Sequence, residues 1–421
     1  MKFALSYGLA VKLRVSALPV VCSAMSAALV LAACGGSDSP AAISVPAVER
    51  SVGSLRLIGQ QIISRRTAFG GTTIGGLSGI DYDVSNDRYA LISDDRTTAD
   101  SASAPRMYTA RLNFDASSFG GITFLSTLFM KQPDGTDYPK VLVPNAAGVN
   151  VPDPESVRVD PVSGNYLWVS EGARTFNGST ATAIIPPFIR EITPGGAHVR
   201  EYAVPPMFQI SSIAPGAAGE IGPRNNLVFE GISVTPDRSK TVVVMEGALV
   251  QDSATPTTTS GSLSRITVFD RATGVAAAQY AYPIERVQVA SVPAGQFTVN
   301  GPTEILAITN TKFLVLERSF SVGVDGNQVR LYQIDISNAT NILTASALTA
   351  ATFTNVTKTL VLDFETLKSR LGNNIANLEG MTFGPRLANG NNTLIVVADD
   401  NFPQADSVTD FNQFLVFEVL P

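Results

Sequence analysis

Carboxylates recur in this sequence at two fixed points of a repeated segment. The first point holds Glu155, Glu230, Glu304 and Glu379, with Ser78 in the same place in the earliest copy. These opening positions lie 77, 75, 74 and 75 residues apart. The second point holds Asp94, Glu171, Glu246, Glu317 and Asp399. Copies arranged about an axis would bring these nine carboxylates together. Like charges at close range raise one another's pKa or require cations to neutralise them. Carboxylates, Asn side chains and backbone carbonyls are hard oxygen ligands that suit Ca²⁺. The nine acids are therefore candidate metal ligands, with Ca²⁺ the expected ion. A repeated acid also has a purely structural use, bonding the backbone amide of a neighbouring repeat, and that alternative stays open. Arg96, Arg174 and Arg318 follow the second point in three copies. They are placed to pair with the acids or to receive an anionic group. Glu230, Glu304 and Arg318 are the candidate catalytic residues.

The chain contains one histidine, His198, after the turn Pro194-Gly195-Gly196. It is expected to be exposed at an outer hairpin. A Ser-His-Asp mechanism needs a histidine beside its nucleophile, and Ser78 sits in no Gly-x-Ser-x-Gly elbow. A histidine-rich zinc site is excluded on the same ground. Any hydrolysis would rest on carboxylates and cations that activate water, with Arg stabilising charge on a phosphoryl or ester oxygen. Asp81-Tyr82-Asp83 with Asn86-Asp87 reads as a turn rather than a calcium loop, Asp134-Gly135-Thr136-Asp137 as a loop, and Trp168 as a core residue.

Positioning these groups falls to β-structure. Each copy is a β-rich run, a turn of Asn, Asp, Pro or Gly, and a second β-rich run. Pro154–Val159 with Leu167–Gly172 and Phe229–Val234 with Val242–Gly247 are examples. Further strand candidates, among them Arg106–Phe114, Phe188–Thr193, Ser264–Asp270 and Gln328–Asp335, leave room for four strands per copy. That is the unit of a β-propeller. The expected fold is all-β, a single propeller of five four-stranded antiparallel blades over residues 51–421. The strand Leu55–Ser64 would complete the last blade beside Gln413–Val419 and remove a free sheet edge. Six blades is the alternative, because Phe119–Asn150, Ala254–Gly261 and Ser337–Asp363 are long enough to hide another.

Residues 1–33 read as a leader. Lys2, Lys12 and Arg14 precede an apolar stretch, Val15–Leu31, which ends in Leu31-Ala32-Ala33-Cys34. This is a secretory signal with the ending of a bacterial lipobox, so Cys34 is the expected lipidated first residue. Residues 34–50 form a Gly/Ser/Pro-containing tether. The expected location is the bacterial cell envelope, on the periplasmic or surface side of the outer membrane, with the lipid the only membrane contact. Cys22 falls in the leader, so no internal disulfide is expected. Without the leader's three basic residues, 27 basic residues stand against 36 acidic ones. That balance argues against nucleic acid. The expected partner is an anionic small molecule or ester, and the expected state a monomer.

Several segments carry a resemblance to a known family. They include Gly76-Leu77-Ser78-Gly79-Ile80, Tyr89–Asp95, Asp153-Pro154-Glu155, Trp168–Gly172, Leu314–Arg318, Asn377–Pro385 and Ala398–Phe402. Together they resemble the phytase-like family, also described by the esterase-like activity of phytase. The resemblance implies a propeller and calcium-dependent hydrolysis of a phosphate ester or other ester. A fold likeness alone establishes no chemistry. Two other readings stand beside it: a non-catalytic propeller that binds a ligand or scaffolds an envelope complex, and a lactonase-like enzyme with one central Ca²⁺.

Overall fold

Every repeat hairpin gains two further strands, so the computed structural model contains five four-stranded antiparallel sheets. It describes residues 49–96, 103–138, 151–349, 352–403 and 405–421. The leader and Cys34 lie outside the described residues. Blade 1 comprises Leu77–Asp83, Arg88–Ser93, Arg106–Phe114 and Phe119–Phe129; blade 2 comprises Asp153–Val159, Tyr166–Glu171, Phe188–Ile192 and His198–Glu201. Blade 3 runs from Phe229–Val234 through Lys240–Met245 and Ser262–Asp270 to Val275–Ile284. Blade 4 runs from Thr298–Ala307 through Lys312–Ser321 and Gln328–Asp335 to Thr357–Asp363. Blade 5 takes Asn377–Gly384, Thr393–Asp399 and Asn412–Leu420 from the C-terminal end and Ser54–Ile63 from the N-terminal end. No sixth sheet forms among the described residues: Phe119–Phe129 and Thr357–Asp363 are the fourth strands of blades 1 and 4, and Ala254–Gly261 is a loop. A hairpin not expected from sequence, Ala173–Asn177 with Thr180–Ile185, leaves blade 2 between its second and third strands.

The innermost strands contact one another in sequence order, and the fifth closes on the first. Their approach is tight enough to dictate residue type. A Cβ on Gly231 would lie 2.6 Å from the Ile305 nitrogen and 2.7 Å from the Glu304 Cα. One on Gly79 would lie 2.8 Å from the Ser156 Cα, and one on Gly380 2.8 Å from the Ser78 carbonyl oxygen. The obstacles are backbone, which cannot step aside.

Apolar residues fill the five seams between adjacent blades. Trp168 and Phe188 of blade 2 meet Ile92 and Met107 of blade 1, and Phe269 and Val243 of blade 3 meet Val169 and Ile189 of blade 2. The remaining seams repeat the scheme. Most strands are therefore covered on both faces. That is why they read as continuous runs such as Val242-Val243-Val244-Met245 rather than as alternating patterns. Trp168 is fully buried, its ring edge-on to Phe188 at 5.0 Å. The closing strand pairs from Ser54 opposite Leu420 to Ile63 opposite Asn412. Arg56 clamps it by donating to Glu418 at 2.7 Å. Glu418 also accepts from Asn389 and Asn391, and these bonds hold its pKa down to about 2.

The close approach makes a direct test. Gly231→Ala should cost about 1–3 kcal/mol through overpacking, seen as a lower melting temperature. Gly195→Ala, where the nearest atom is a Thr193 hydroxyl at 3.7 Å, should change little.

Candidate functional site

The acids of the first point owe their position to a β-bulge. In blades 2, 3 and 5 the ladder between the two inner strands slips at Glu155, Glu230 and Glu379, and in blade 1 at Ser78. A bulged residue leaves the ladder and is re-aimed. At the ends of the second strands come Glu171 and Asp399, each the last paired residue, and just beyond them Asp94 and Glu246. Both sets lie at one mouth of the central channel. Asp153, opposite Glu171, joins them.

Among the described residues, eight acids thus surround the mouth: Asp94, Asp153, Glu155, Glu171, Glu230, Glu246, Glu379 and Asp399. Two guanidiniums face them. Arg96 reaches Asp153 at 3.0 Å and donates to Asn226 Oδ1 at 2.5 Å. Arg318 donates to Glu246 at 3.0 Å and lies 3.5 Å from Glu379. The negative charge is not matched by these cations. Burial raises Glu171 and Glu230 well above the carboxylate range, and mutual repulsion adds to it, through Asp153 and Glu246 on Glu171 and through Glu171, Glu246 and Glu379 on Glu230. Glu155, Asp94 and Asp399 rise in the same way, first by burial and then by neighbouring acids. Burial pushes Glu246 up to about 7, with Arg318 opposing and Glu379 adding. Burial works against charge on Arg318 too, but Glu379, Glu246 and Glu230 outweigh it and hold the guanidinium protonated.

Two of the expected ring members lie elsewhere. In blade 4 the bulge falls at Thr303, and Pro302 pairs with Glu317 as Pro154 pairs with Ser170. Thr303 and Arg318 therefore occupy the slots held by acids in other blades. Glu304 and Glu317 are each one residue out of step, and a one-residue shift turns a side chain to the opposite face. Glu304 lies deep in the channel, where Ser156 donates to it at 2.8 Å and Arg158 lies 3.0 Å away. Burial pushes its pKa up to about 7, against Arg158 and the Ile305 amide. Glu317 turns outward and accepts from Tyr282 at 2.8 Å, Asn300 at 2.8 Å and Lys358 at 2.7 Å. Arg174 also leaves the mouth and pairs with Glu220.

Asp153 was overlooked, although Asp153-Pro154-Glu155 set beside Gly301-Pro302-Thr303 carries the register that identifies it. His198 is not exposed in a turn. It is the first residue of an edge strand and half-buried. Asp83 caps its turn, accepting from the Ser85 and Asn86 amides and from Arg88. Asp134 holds its loop through Thr136.

The donor set fits a hard divalent cation. Asp153, Glu155 and Glu171 each offer an oxygen within 4.8 Å of the others, and Glu171, Glu230 and Glu246 do the same. Glu171 belongs to both triads. One of its oxygens accepts from the Val228 amide at 2.7 Å, which is the structural use of a repeat acid. Its Oε2 is buried and accepts no hydrogen bond, and the same is true of Oδ1 of Asp153, whose Oδ2 lies against Arg96. Buried carboxylate oxygens without donors are costly, and a cation is the partner their geometry suits.

The fold has distant likenesses among solved structures. An endo-arabinase from Bacteroides thetaiotaomicron shares 10% identity, with 86% of this chain and 98% of that one covered and a TM-score of 0.39. An arabinanase from Bacillus subtilis shares 12%, with 83% and 97% covered and a TM-score of 0.37. A gluconolactonase from Xanthomonas campestris shares 12%, with 87% and 98% covered and a TM-score of 0.29. Similarity this low says nothing of chemistry. No curated protein matches the chain in sequence. The model of one family spans residues 72–402, from the turn before blade 1 to the acids that end the second strand of blade 5. With its repeats and its mouth of carboxylates inside that span, the chain belongs to the phytase-like family, described by the esterase-like activity of phytase.

Proposed function

We propose that the acidic mouth is a calcium-dependent hydrolytic site for a phosphate ester or another ester. The observation that carries this reading is the pair of carboxylate triads sharing Glu171, with buried oxygens that no donor satisfies. Asp153, Glu155 and Glu171 would hold one cation, and Glu171, Glu230 and Glu246 a second. A bound cation of this kind lowers the pKa of water and polarises a phosphoryl or acyl oxygen. The chain's own groups supply the rest. Arg318, braced by Glu246 and held protonated by the surrounding acids, would offer its guanidinium to an anionic oxygen of the substrate. Glu230, whose pKa is raised by burial and by Glu171, Glu246 and Glu379, is the carboxylate placed to exchange a proton. Glu304 takes no part in this reading, because it is engaged with Arg158 and Ser156. We also propose export and lipid attachment at Cys34, which would hold the propeller at the envelope.

The ion dependence can be read without knowing the natural substrate. The mouth acids have folded pKa values above their unfolded values near 4. The folded chain therefore binds more protons than the unfolded chain, and this set favours folding at low pH. That contribution is lost as pH rises through the folded values, about 7 for Glu246. Chelated protein should lose stability from pH 5 to pH 8. Ca²⁺ should restore it, by about 2.7 kcal/mol at a hundredfold excess over Kd, and more at pH 8 than at pH 5. Glu171→Gln should abolish most of that gain. An unchanged melting temperature with and without Ca²⁺ at both pH values would remove the basis for a cation site.

Turnover is the second test. Phytate, p-nitrophenyl phosphate and p-nitrophenyl acetate should be assayed with Ca²⁺ and with chelator. Hydrolysis of at least one should need Ca²⁺, and Glu230→Gln and Arg318→Gln should each lower kcat/KM by about 100-fold or more. A cation-stabilised protein that turns over none of them would leave the binding propeller as the function.

Attachment is tested separately. Expressed in a bacterial host, the Cys34→Ser protein should shift from the membrane to the soluble fraction, and mass spectrometry of the parent protein should find acyl chains on Cys34.

A further inference from the structure

The other end of the central channel has the opposite chemistry. The inner strands finish there at Asp83, Val159, Val234, Ala307 and Gly384. They and the turns beyond enclose a cavity of about 440 Å³. Its apolar wall includes Leu167, Val234, Leu306 and Phe383, and five arginines line it: Arg50, Arg158, Arg238, Arg271 and Arg386.

The acids lining the cavity are already engaged. Asp160 is shared between Arg238, at 3.3 Å, and Arg271, and it also accepts from the Val162 amide. Asp81 accepts from the Val159 amide and the Thr382 hydroxyl. Glu191 accepts from Asn165 and Arg200. Setting Arg158 against Glu304 below it still leaves an excess of positive charge. Arg158 is nearly buried, its terminal nitrogens donating to the Ile80, Val157 and Ile305 carbonyls and facing Glu304, whereas Arg238 and Arg271 share Asp160 between them. On the blade 5 side, Arg50 stacks on the Phe383 ring at 4.5 Å and Arg386 donates to the Gly390 carbonyl. Guanidiniums thus come from several walls. A planar carboxylate presents its oxygens to one wall, whereas a tetrahedral phosphorus oxyanion presents them to several.

We propose that this cavity is a second ligand site, separate from the carboxylate mouth, that binds a small organic phosphate or phosphonate: the oxyanion on the arginines, the apolar body against Val234, Leu306 and Phe383. The arrangement is a built pocket of apolar walls with convergent polar groups, and it is independent of any cation at the other mouth.

Titration calorimetry on the chelated full chain tests it, with non-hydrolysable probes. Phenylphosphonate should saturate one site per chain, at least tenfold more tightly than methylphosphonate, which lacks the apolar body, and than benzoate, which lacks the tetrahedral head. Arg238→Gln and Arg386→Gln should each weaken it at least fivefold, while Glu171→Gln at the far mouth leaves it unchanged. The proposal is overturned by equal affinity for the three probes, by indifference to both arginine changes, by loss of binding in Glu171→Gln, or by no saturation up to about 10 mM.

Discussion

Five backbones must share one axis, and the space between them sets the terms for everything outside it. Where Gly231 passes Glu304 there is no room for a methyl group. The same holds where Gly79 passes Ser156 and where Gly380 passes Ser78. In blades 1, 3 and 5 the bulge lies immediately before that glycine, so the residue at the bulge is the one turned out of the ladder. The acids gather because the strands they sit on are pressed together. Their charge cannot be diluted by spreading the blades, since each seam is filled by apolar side chains from both neighbours. Charge repulsion is therefore met by raised carboxylate pKa values and by Arg96 and Arg318, and the triads around Glu171 could hold a cation.

The channel that results is electrically polarised. Carboxylates crowd one mouth and guanidiniums line the other, with Glu304 and Arg158 paired between them. This inner pair stands in the way of a continuous path. It also separates two environments that would neutralise each other if the side chains could meet.

The architecture could be read from the chain because its repeats are long and evenly spaced, and because strands buried on both faces announce themselves as unbroken apolar runs. The closing strand was legible on another ground: the last repeat supplies three strands, and Leu55–Ser64 is left over to complete it. Fine register was not. Glu304 and Glu317 look like ring members by residue type and spacing, yet both are turned away by a slip of one residue in blade 4. Spacing near 75 residues cannot resolve a shift of one, but proline can. Pro154 and Pro302 occupy the same rung, and aligning on them puts Thr303 and Arg318 into the ring and brings Asp153 to notice. The guanidinium-lined cavity had no local signature at all. Its arginines come from positions as far apart as Arg50 and Arg386 and meet only because the ring closes.

That closure joins the first described strand to the last. Ser54 lies opposite Leu420, so blade 5 cannot be assembled until the strand Asn412–Leu420 has left the ribosome and, for an exported chain, crossed the membrane. Blades 1 to 4 each consist of neighbouring segments and can form in order as the chain emerges. The strand Ser54–Ile63 must wait through all of this with its edge unpaired. A growing chain of this kind is exposed to wrong partners for the whole of its synthesis. The period of greatest vulnerability is thus written into the topology, and any holding factor that protects the chain in transit would have its most useful target in that first strand.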